Sequence, residues 1–390
     1  MTLPPVVDVV EAGLREGVAA AVASAVRARG AIVHAGAAGL AQRTPTRRAV
    51  TEDDLFDLAS VTKPYVASAV ARLVERGALD LDAAVARWLP GFRGGGKEGI
   101  TVRHLLAHAS GLPAWRPLHE RAAADPIARA AFAAPAERPG PAALVAAFRR
   151  GRELAEEAVS AEPLEAAPGT RAVYSDLGFI ALGLVVERIC GVPLDAAVEA
   201  EVSGPLSLQA TTFLSGLEPG RAAERRAGRS FAATRRSPAR GGEVLCGAVD
   251  DDNAWSMGGV AGHAGLFATA ADVAAFGQAW LDALAGRTRW LSRATAALFA
   301  TRDATPGSER ALGWDTPSRE GSAIGTRLGR GPRGAIGHLG FTGTSLWLDL
   351  DRELACALLT NHVHPDGSDR ERIRAFRGRF HDAVAGALLG

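Results

Sequence analysis

The chain has 390 residues, of which 47% are hydrophobic, and its formal net charge is +1 at pH 7. This composition can bury one large core or two smaller ones, and so small a net charge gives no electrostatic bias towards nucleic acid or membrane surfaces. The longest strongly apolar run, from Phe179 to Val186, is far shorter than the roughly 20 residues that a membrane-spanning helix requires.

The predicted elements fall into three regions. Up to about residue 59 the pattern predicts a helix at 6–29, a strand around 31–33 and a second strand, 55–59, that leads into Ser60. From Ser60 to about residue 300, helical periodicity dominates and is interrupted by proline and glycine turns. After Thr326 the pattern predicts strands again, followed by a terminal helix. These last elements are predicted at 337–340, 344–348, 354–359 and 370–389.

Strands at both ends of the chain, around a helical middle, indicate that the N- and C-terminal segments share one sheet. We therefore predict an α+β fold in which an antiparallel sheet of N- and C-terminal segments is flanked by helices and carries a large, mostly helical inserted lobe. The whole chain, 1–390, is predicted to form one domain. Its sheet lobe is predicted to comprise 1–59 and about 305–390, and its helical lobe about 60–304.

The N-terminal segment and the cysteines bear on location and redox chemistry. Residues 1–30 lack a basic stretch followed by an apolar core, so no secretion signal is visible and we expect a cytoplasmic protein. The three cysteines are odd in number and far apart in the chain, which argues against a disulfide framework or a CxxC metal site.

Lysine is scarce in this chain, since only two of its 44 basic residues are lysines. One of them, Lys63, follows Ser60 by three positions at the predicted start of an amphipathic helix. Residues three apart share a helix face, so the Ser60 hydroxyl and the Lys63 amine can meet. A desolvated lysine can lose its proton near neutral pH whereas arginine stays charged, which makes the pair a candidate nucleophile and base.

Two further segments add polar chemistry. Tyr174, one of two tyrosines, begins a Tyr-Ser-Asp sequence at the head of an apolar helix, and taken alone it would be predicted as a core aromatic. Placed after a Ser-x-x-Lys helix, it becomes a candidate proton carrier. Near the C-terminus, residues 337–345 form a glycine-rich strand edge. Glycines in a strand often mark the close approach of another backbone or a ligand, and a hairpin bend is the alternative.

Together these segments resemble the serine β-lactamase and penicillin-binding protein superfamily, specifically its class C β-lactamase-related branch, which includes esterases, D-aminopeptidases and cell-wall hydrolases. The resemblance covers nearly the whole chain. Its main motifs are Ser60 to Lys63, Tyr174 to Asp176 and His338 to Gly340. It is also carried by the segments 100–113, 258–267 and 360–365, and the segments 252–253 and 262–265 resemble those of relatives that act on cell-wall peptides.

The resemblance implies that Ser60 attacks a carbonyl and forms an acyl-enzyme that water then cleaves, with Lys63 and Tyr174 as the general-base system. To act as a base near pH 7, Lys63 would need its pKa lowered by roughly 3 from about 10.4. The backbone N–H groups of Ser60 and Phe341 are implied as the oxyanion hole. The residues expected to line the substrate site are Asp176, His263, His338 and Gly340.

Two departures from the β-lactamase pattern bear on the substrate. Asp176 stands where those enzymes usually have the asparagine of Tyr-x-Asn, and His338 stands where they have the lysine of Lys-Thr-Gly. A histidine is mostly neutral at pH 7 and an aspartate is negative, so both changes disfavour a carboxylate-bearing substrate. We therefore expect an ester or a neutral amide substrate ahead of a β-lactam.

Asp176 also leaves the mechanism open, because a carboxylate close to Lys63 would raise the pKa of the lysine. In one outcome, Asp176 pairs with His338 or Arg171 and leaves Lys63 alone. In the other, Tyr174 is the principal base and Lys63 is its cationic partner.

Other chemistry is less well supported. His104 and His108 lie four apart on a predicted helix, but the His-Glu-x-x-His pattern is absent, so packing and capping are predicted for them rather than metal binding. Neither a metal nor a cofactor is implied. The expected partner is a small ester, amide or peptide substrate and not a nucleic acid. Besides an esterase or amidase, the open alternatives are a β-lactamase or D,D-peptidase, and a non-hydrolytic acylating sensor or scaffold.

Overall fold

A computed structural model describes residues 2–318, 322–367 and 369–389 of the chain. The helices are α1 Pro4–Arg15, α2 Thr62–Glu75, α3 Val102–Leu106, α4 Leu118–Ala124, α5 Pro141–Ala161, α6 Asp176–Cys190, α7 Leu194–Val198, α8 Pro219–Arg226, α9 Asp252–Ser256, α10 Ala270–Leu284, α11 Arg293–Ala300 and α12 Arg370–Leu389. The strands are β1 Ala21–Ala28, β2 Ala31–Gln42, β3 Arg48–Ala49, β4 Phe56–Asp57, β5 Thr212–Phe213, β6 Ala233–Ser237, β7 Glu243–Cys246, β8 Leu266–Ala268, β9 Arg310–Ala311, β10 Trp314–Asp315, β11 Ala335–Leu339, β12 Ser345–Asp349 and β13 Leu354–Thr360.

The main sheet joins the two ends of the chain. Its strand order is β3-β2-β1-β13-β12-β11-β10-β9, and neighbouring strands are antiparallel. The N-terminal and C-terminal strands meet where β1 pairs with β13, with Ala25 opposite Ala357. Most of the helices come from the intervening segment. The predicted α+β fold is therefore confirmed, while the residue boundaries of its two lobes stay a prediction.

The predicted helix at 6–29 is wrong over its second half. Helix α1 ends at Arg15, the backbone turns at Gly17 with φ +71°, and strand β1 begins at Ala21. The alanine-rich sequence of β1 favours a helix locally. In the fold this segment is a central strand whose first six residues are all buried. Pairing on both edges and burial on both faces override the local preference.

Helices cover both faces of the sheet. On one face α1 packs against α12, and the shared core includes Val6, Trp347 and Phe376. On the other face α10 packs against β13 and β1. Beyond α10, the helical lobe is built around α2, in which eleven of the fourteen residues are buried. The C-terminal strands and helix lie within two residues of their predicted bounds.

A second, small sheet connects α2 to the main sheet. Its order is β4-β8-β5, and β4 ends at Asp57, three residues before Ser60. The start of α2 is fixed to this sheet because the Thr62 hydroxyl accepts a hydrogen bond from the Leu266 N–H at 3.2 Å. Further along α2, Ser68 accepts a hydrogen bond from Trp280 of α10 at 3.0 Å. The helix that carries Lys63 and follows Ser60 is thus held by the small sheet at its start and by α10 further along.

Among the described residues, no single helix has the length and hydropathy needed to cross a membrane. The consecutive segments Asp176–Cys190 and Leu194–Ser203 meet that test only when taken together, and they are bent by 77° relative to each other.

Candidate active site

Ser60 lies in a short turn of 3₁₀ helix, Ala59–Val61, that leads directly into α2. Ala59 has φ +46°, a left-handed conformation that is strained for a residue with a side chain. The carboxylate of Asp57 supports this turn, because one oxygen accepts a hydrogen bond from the Ala59 N–H at 2.8 Å and the other accepts one from the Asp250 N–H at 2.6 Å. Burial, followed by the neighbouring charge of Asp250, raises the pKa of Asp57 to about 7.

Lys63 lies beneath Ser60, one turn into the helix, and its side chain is fully buried. Its ammonium group contacts three acceptors. Nζ lies 2.9 Å from Ser60 Oγ, 2.8 Å from Asp176 Oδ1 and 3.2 Å from the carbonyl oxygen of His263. A protonated lysine has three N–H donors, whereas a neutral amine has two. The surroundings of Lys63 therefore match the charged form.

The pKa of Lys63 is raised, not lowered. Burial alone would lower it, but the carboxylate of Asp176, with a further contribution from Tyr174, outweighs that effect. Asp176 thus pairs with Lys63 and not with His338 or Arg171. A lysine that acts as a base would need a lowered pKa, and this arrangement raises the pKa of Lys63 instead.

Tyr174 and Asp176 are placed by the N-terminus of α6. The Ser175 hydroxyl caps this helix by accepting a hydrogen bond from the Gly178 N–H at 3.1 Å, and it donates one to the Pro113 carbonyl at 2.6 Å. The Ser175 N–H donates to His108 Nδ1 at 3.0 Å. These three hydrogen bonds fix Ser175, and the residues on either side of it, Tyr174 and Asp176, both contact Lys63.

The Tyr174 ring lies among cations and other rings. Lys63 Nζ is 4.7 Å and Arg310 Cζ is 4.8 Å from the ring centroid, and the His108 ring packs against it at 4.6 Å. Burial raises the pKa of Tyr174 and so does Asp176, while contacts with Lys63 and Ser60 act in the opposite direction. The net effect is a raised pKa, so the resting phenol is protonated at neutral pH.

The strand edge after β11 packs against the Ser60 turn. Thr342 and Thr344 donate hydrogen bonds to the carbonyl groups of Asp57 and Leu58 at 2.7 and 2.9 Å. Gly340 is required by this contact, because a Cβ there would lie 2.5 Å from the Leu58 carbonyl oxygen. The glycine-rich segment is therefore a place of close backbone approach, and it brings the Phe341 backbone beside the nucleophile turn.

Ser60, Tyr174, Asp176 and the strand edge line one cavity of about 1190 Å³. Each residue that the sequence singled out as site-lining, His263, His338 and Gly340 included, is part of its wall, and so is Phe341, whose side chain is exposed. Lys63 lies below this wall. The structure thus brings all the expected site residues together.

Two histidines in the wall are buried and held through one ring nitrogen each. His338 Nδ1 lies 3.0 Å from the carbonyl oxygen of its neighbour Leu339, and burial lowers the His338 pKa to about 4. His263 Nε2 lies 3.0 Å from Asp251 Oδ1. Burial tends to raise the Asp251 pKa, but His263, the Ala254 N–H and Lys63 lower it below its usual range. His338 is therefore neutral and Asp251 ionised at pH 7.

Three residues of the site were missed by sequence reasoning: Asp57, Asp251 and Arg310. The run of three aspartates at 250–252 was a signal that could have pointed to Asp251. Arg310 had no such signal, because it reaches Tyr174 only through the sheet, from the edge strand β9.

His104 and His108 do not share a helix face, because α3 ends at Leu106. His104 Nδ1 accepts a hydrogen bond from the Thr101 N–H at 3.2 Å, which is part of a capping box. Within residues 2–318, 322–367 and 369–389, no group of three or more His, Cys, Asp or Glu side chains is placed to hold a metal ion.

The chain resembles known proteins over most of its length. Residues 6–377 match the family model described as Beta-lactamase. The chain belongs to the beta-lactamase family. It is 34% identical over 333 residues to an N-acetylmuramyl-L-alanine amidase of Bacillus subtilis (strain 168), an alignment that covers 81% of this chain and 70% of the relative. It is 31% identical over 330 residues to a putative D-alanyl-D-alanine carboxypeptidase of Salmonella typhi, covering 80% and 71%.

Solved structures support the same fold at lower identity. EstCE1, described as a hydrolase with promiscuous acyltransferase activity, superposes with a TM-score of 0.70 at 23% identity and covers 98% of this chain and 97% of its own. A class C beta-lactamase superposes with a TM-score of 0.69 at 18% identity, covering 99% and 96%. The family and the names of the curated relatives together support a serine hydrolase of beta-lactamase type.

The support of the nucleophile turn by Asp57 leads to a stability prediction. In Asp57→Ala the buried N–H groups of Ala59 and Asp250 lose their acceptors, and each unpaired buried group costs about 1–3 kcal/mol. We expect the free energy of unfolding to fall by about 2–4 kcal/mol in urea titrations. Asp53→Ala, at an exposed position nearby, is the control and should change stability by less than about 0.5 kcal/mol. Equal stability of the two variants would contradict the role of Asp57.

Proposed function

We propose that this protein hydrolyses an amide or ester of a neutral acyl group through an acyl-enzyme on Ser60, and that amides of cell-wall muropeptides are its physiological substrate class. The observation that carries the proposal is the 2.9 Å contact between Lys63 Nζ and Ser60 Oγ in the wall of a large cavity. The substrate class is supported by the Bacillus subtilis relative, which is named as an N-acetylmuramyl-L-alanine amidase.

In the acylation step, Ser60 Oγ forms a bond to the substrate carbonyl carbon and its proton passes to a base. The carbonyl π electrons move to the oxygen, which becomes an oxyanion. When the oxyanion collapses, the bond to the leaving nitrogen or oxygen breaks, and the leaving group takes up the proton. Water then repeats the sequence on the acyl-enzyme, releasing the acid and restoring the Ser60 hydroxyl.

Tyr174 is the base in this scheme and acts as the phenolate: its resting phenol first releases a proton to water, and Lys63 is the cation that stabilises the phenolate. The three donors of Lys63 are directed at Ser60, Asp176 and the His263 carbonyl, so no lone pair is available to receive the Ser60 proton. The Ser60 hydroxyl, which accepts from Lys63, keeps its own proton free for donation to Tyr174. Lys63 lowers the cost of negative charge on the Tyr174 oxygen. General-base assistance of this kind contributes roughly 10²- to 10⁴-fold.

The oxyanion is stabilised by the backbone N–H groups of Ser60 and Phe341. Ser60 is at the start of a helix, where N–H groups lack intrahelical acceptors, and Phe341 follows the close contact at Gly340. A donor aimed at developing negative charge contributes about 3–4 kcal/mol in such sites.

A neutral substrate follows from the charges around the cavity. His338 is neutral at pH 7 and offers no cation to a substrate carboxylate. Arg310 is already paired with Asp315, and Lys63 with Asp176. Lys63 and Arg310 are thus neutralised by protein carboxylates, and Arg377, a further cation of the cavity wall, donates to the carbonyl groups of Gly340 and Thr344. Hydrolysis of a D-alanyl-D-alanine terminus is the second candidate, favoured by the name of the Salmonella typhi relative, and it would need a cation for the terminal carboxylate.

The nucleophile assignment is tested by mass spectrometry with a p-nitrophenyl acyl ester. We expect a transient acyl adduct on Ser60 with steady release of p-nitrophenol, and neither adduct nor turnover in Ser60→Ala. Ser207→Ala, at an exposed position, should behave like the parent protein. A persistent adduct would indicate an acylating sensor, and an unmodified Ser60 would exclude the proposed chemistry.

The substrate classes are then ranked by their turnover. The panel comprises a muropeptide amide, a short-chain ester, a D-alanyl-D-alanine peptide and a chromogenic cephalosporin.

The pH profile tests the role of Asp176. This carboxylate raises the pKa of both Lys63 and Tyr174, so its neutralisation lowers the pKa of whichever group is the base. Because kcat/KM rises with pH through the pKa of the free base, we expect the rising limb of the Asp176→Asn profile to move to lower pH. Glu120→Gln, at an exposed position, should leave the limb in place. If the rising limb of the kcat/KM profile of Asp176→Asn stays at the same pH or moves to higher pH, the proposed electrostatics are contradicted.

A further inference from the structure

Two histidine ring nitrogens in the cavity wall have no hydrogen-bond partner among the described residues. They are His263 Nδ1 and His338 Nε2, and both side chains are 1% exposed. More than nine in ten buried polar groups in proteins are paired, so an unpaired group in a ligand cavity calls for a partner from outside the chain. Trp347 and Arg377 also have unpaired nitrogens in this cavity, but theirs are N–H donors.

The protonation of each ring follows from its paired nitrogen. The carbonyl oxygen of Leu339 can only accept, so His338 Nδ1 carries the proton of the neutral ring and Nε2 is a bare acceptor. The Asp251 carboxylate is ionised and also only accepts, so His263 Nε2 carries a proton. His263 Nδ1 is the nitrogen left for a ligand, and it is an acceptor whenever Nε2 carries the only proton of the ring.

The two rings lie on different walls of the catalytic centre. The His338 ring is 6.0 Å from the Tyr174 ring and belongs to strand β11 of the main sheet. His263 belongs to the loop before β8, and its carbonyl oxygen contacts Lys63. The loop is held against α6, because Gly262 lies so close to it that a Cβ would be 1.9 Å from the Phe179 carbonyl oxygen. Neither ring can turn away from the cavity without breaking the bond that holds it.

We propose that His263 Nδ1 and His338 Nε2 form a pair of hydrogen-bond acceptors that selects substrates with N–H or O–H donors close to the scissile carbonyl. This inference rests on the proposed function and narrows its substrate class to donor-bearing acyl groups, such as the N-acylated residue of a peptide or a hydroxyacyl group. A substrate without donors leaves one or both nitrogens buried and unpaired. Discrimination of this kind is large in enzymes, because binding a substrate that lacks the donor leaves polar groups of the site buried and without a hydrogen bond.

Matched p-nitrophenyl esters test the proposal. The N–H arm compares the N-acetylglycyl ester with the N-acetylsarcosyl ester, in which a methyl group replaces the proton. The O–H arm compares the hydroxyacetyl with the methoxyacetyl ester. We expect kcat/KM of the parent protein to favour the donor-bearing member by about tenfold or more in at least one arm, and that arm identifies the donor. A tenfold ratio corresponds to about 1.4 kcal/mol.

Substitutions of His263 and His338 then show whether these rings cause the preference for donor-bearing esters. His263→Phe and His338→Phe remove the acceptors, and we expect the preference to fall towards one in at least one of them. His263→Asn and His338→Gln place a carbonyl oxygen near the lost nitrogen and should restore part of the preference. A ratio near one in both arms of the parent protein, or a ratio that no variant changes, would overturn the inference. Because these outcomes are ratios between substrates that are turned over, they are distinct from a failure of Ser60 to be acylated.

A measurement on the unmutated rings covers the case in which the phenylalanine variants do not fold. In Ser60→Ala labelled with ¹⁵N-histidine, long-range ¹H–¹⁵N correlation spectra report which ring nitrogen is protonated. We expect a bare Nδ1 in His263 and a bare Nε2 in His338, and a shift of at least one of these signals with N-acetylglycine methylamide but not with N-acetylsarcosine dimethylamide. Protonation of both bare nitrogens at pH 7, or no shift with the donor ligand, would contradict the acceptor pair.

Discussion

The ion pair between Lys63 and Asp176 is the interaction on which the chemistry of this site depends. It joins α2, which follows the nucleophile turn, to the first residue of α6, which follows Tyr174, across 113 residues of sequence. Removing one partner of a buried pair typically costs about 3–5 kcal/mol, because the remaining charge is left without compensation. The same pair keeps Lys63 charged and fills its third donor position, so the proton of Ser60 must go elsewhere. Structure and mechanism are therefore set by one contact.

A second constraint is the position of the nucleophile turn between two sheets. The Asp57 carboxylate accepts a hydrogen bond from the strained Ala59 backbone, and the hydroxyls of Thr342 and Thr344 donate to the carbonyl groups of Asp57 and Leu58, just before the turn. The backbone amides of Ser60 and Phe341 are thus fixed by elements from opposite ends of the chain. Preorganised donors of this kind need no rearrangement during the reaction, which is why they are effective.

Much of this arrangement could be predicted from residue type and local pattern. Lys63 and Tyr174 stood out because lysine and tyrosine each occur only twice in the chain. The C-terminal strands could be predicted because their sequences are short apolar runs bounded by turn residues. Local pattern could not show that the alanine-rich segment of β1 is a strand, because its pairing with β13 involves residues more than 300 positions away. It also left the partner of Asp176 open, and it gave no reason to place Arg310 over Tyr174. Those contacts exist only once the sheet has assembled.

The central claim, that Lys63 is a cation held by Asp176 and not a free base, is open to direct measurement because the chain has only two lysines. Labelling with ¹⁵Nζ-lysine gives one signal for Lys63 and one for Lys97, which Lys97→Arg assigns. We expect the Lys63 signal to stay that of an ammonium group through neutral pH and to titrate above 10.5, the ordinary lysine value. Titration of Lys63 near pH 7 would contradict this account and return the role of base to the lysine.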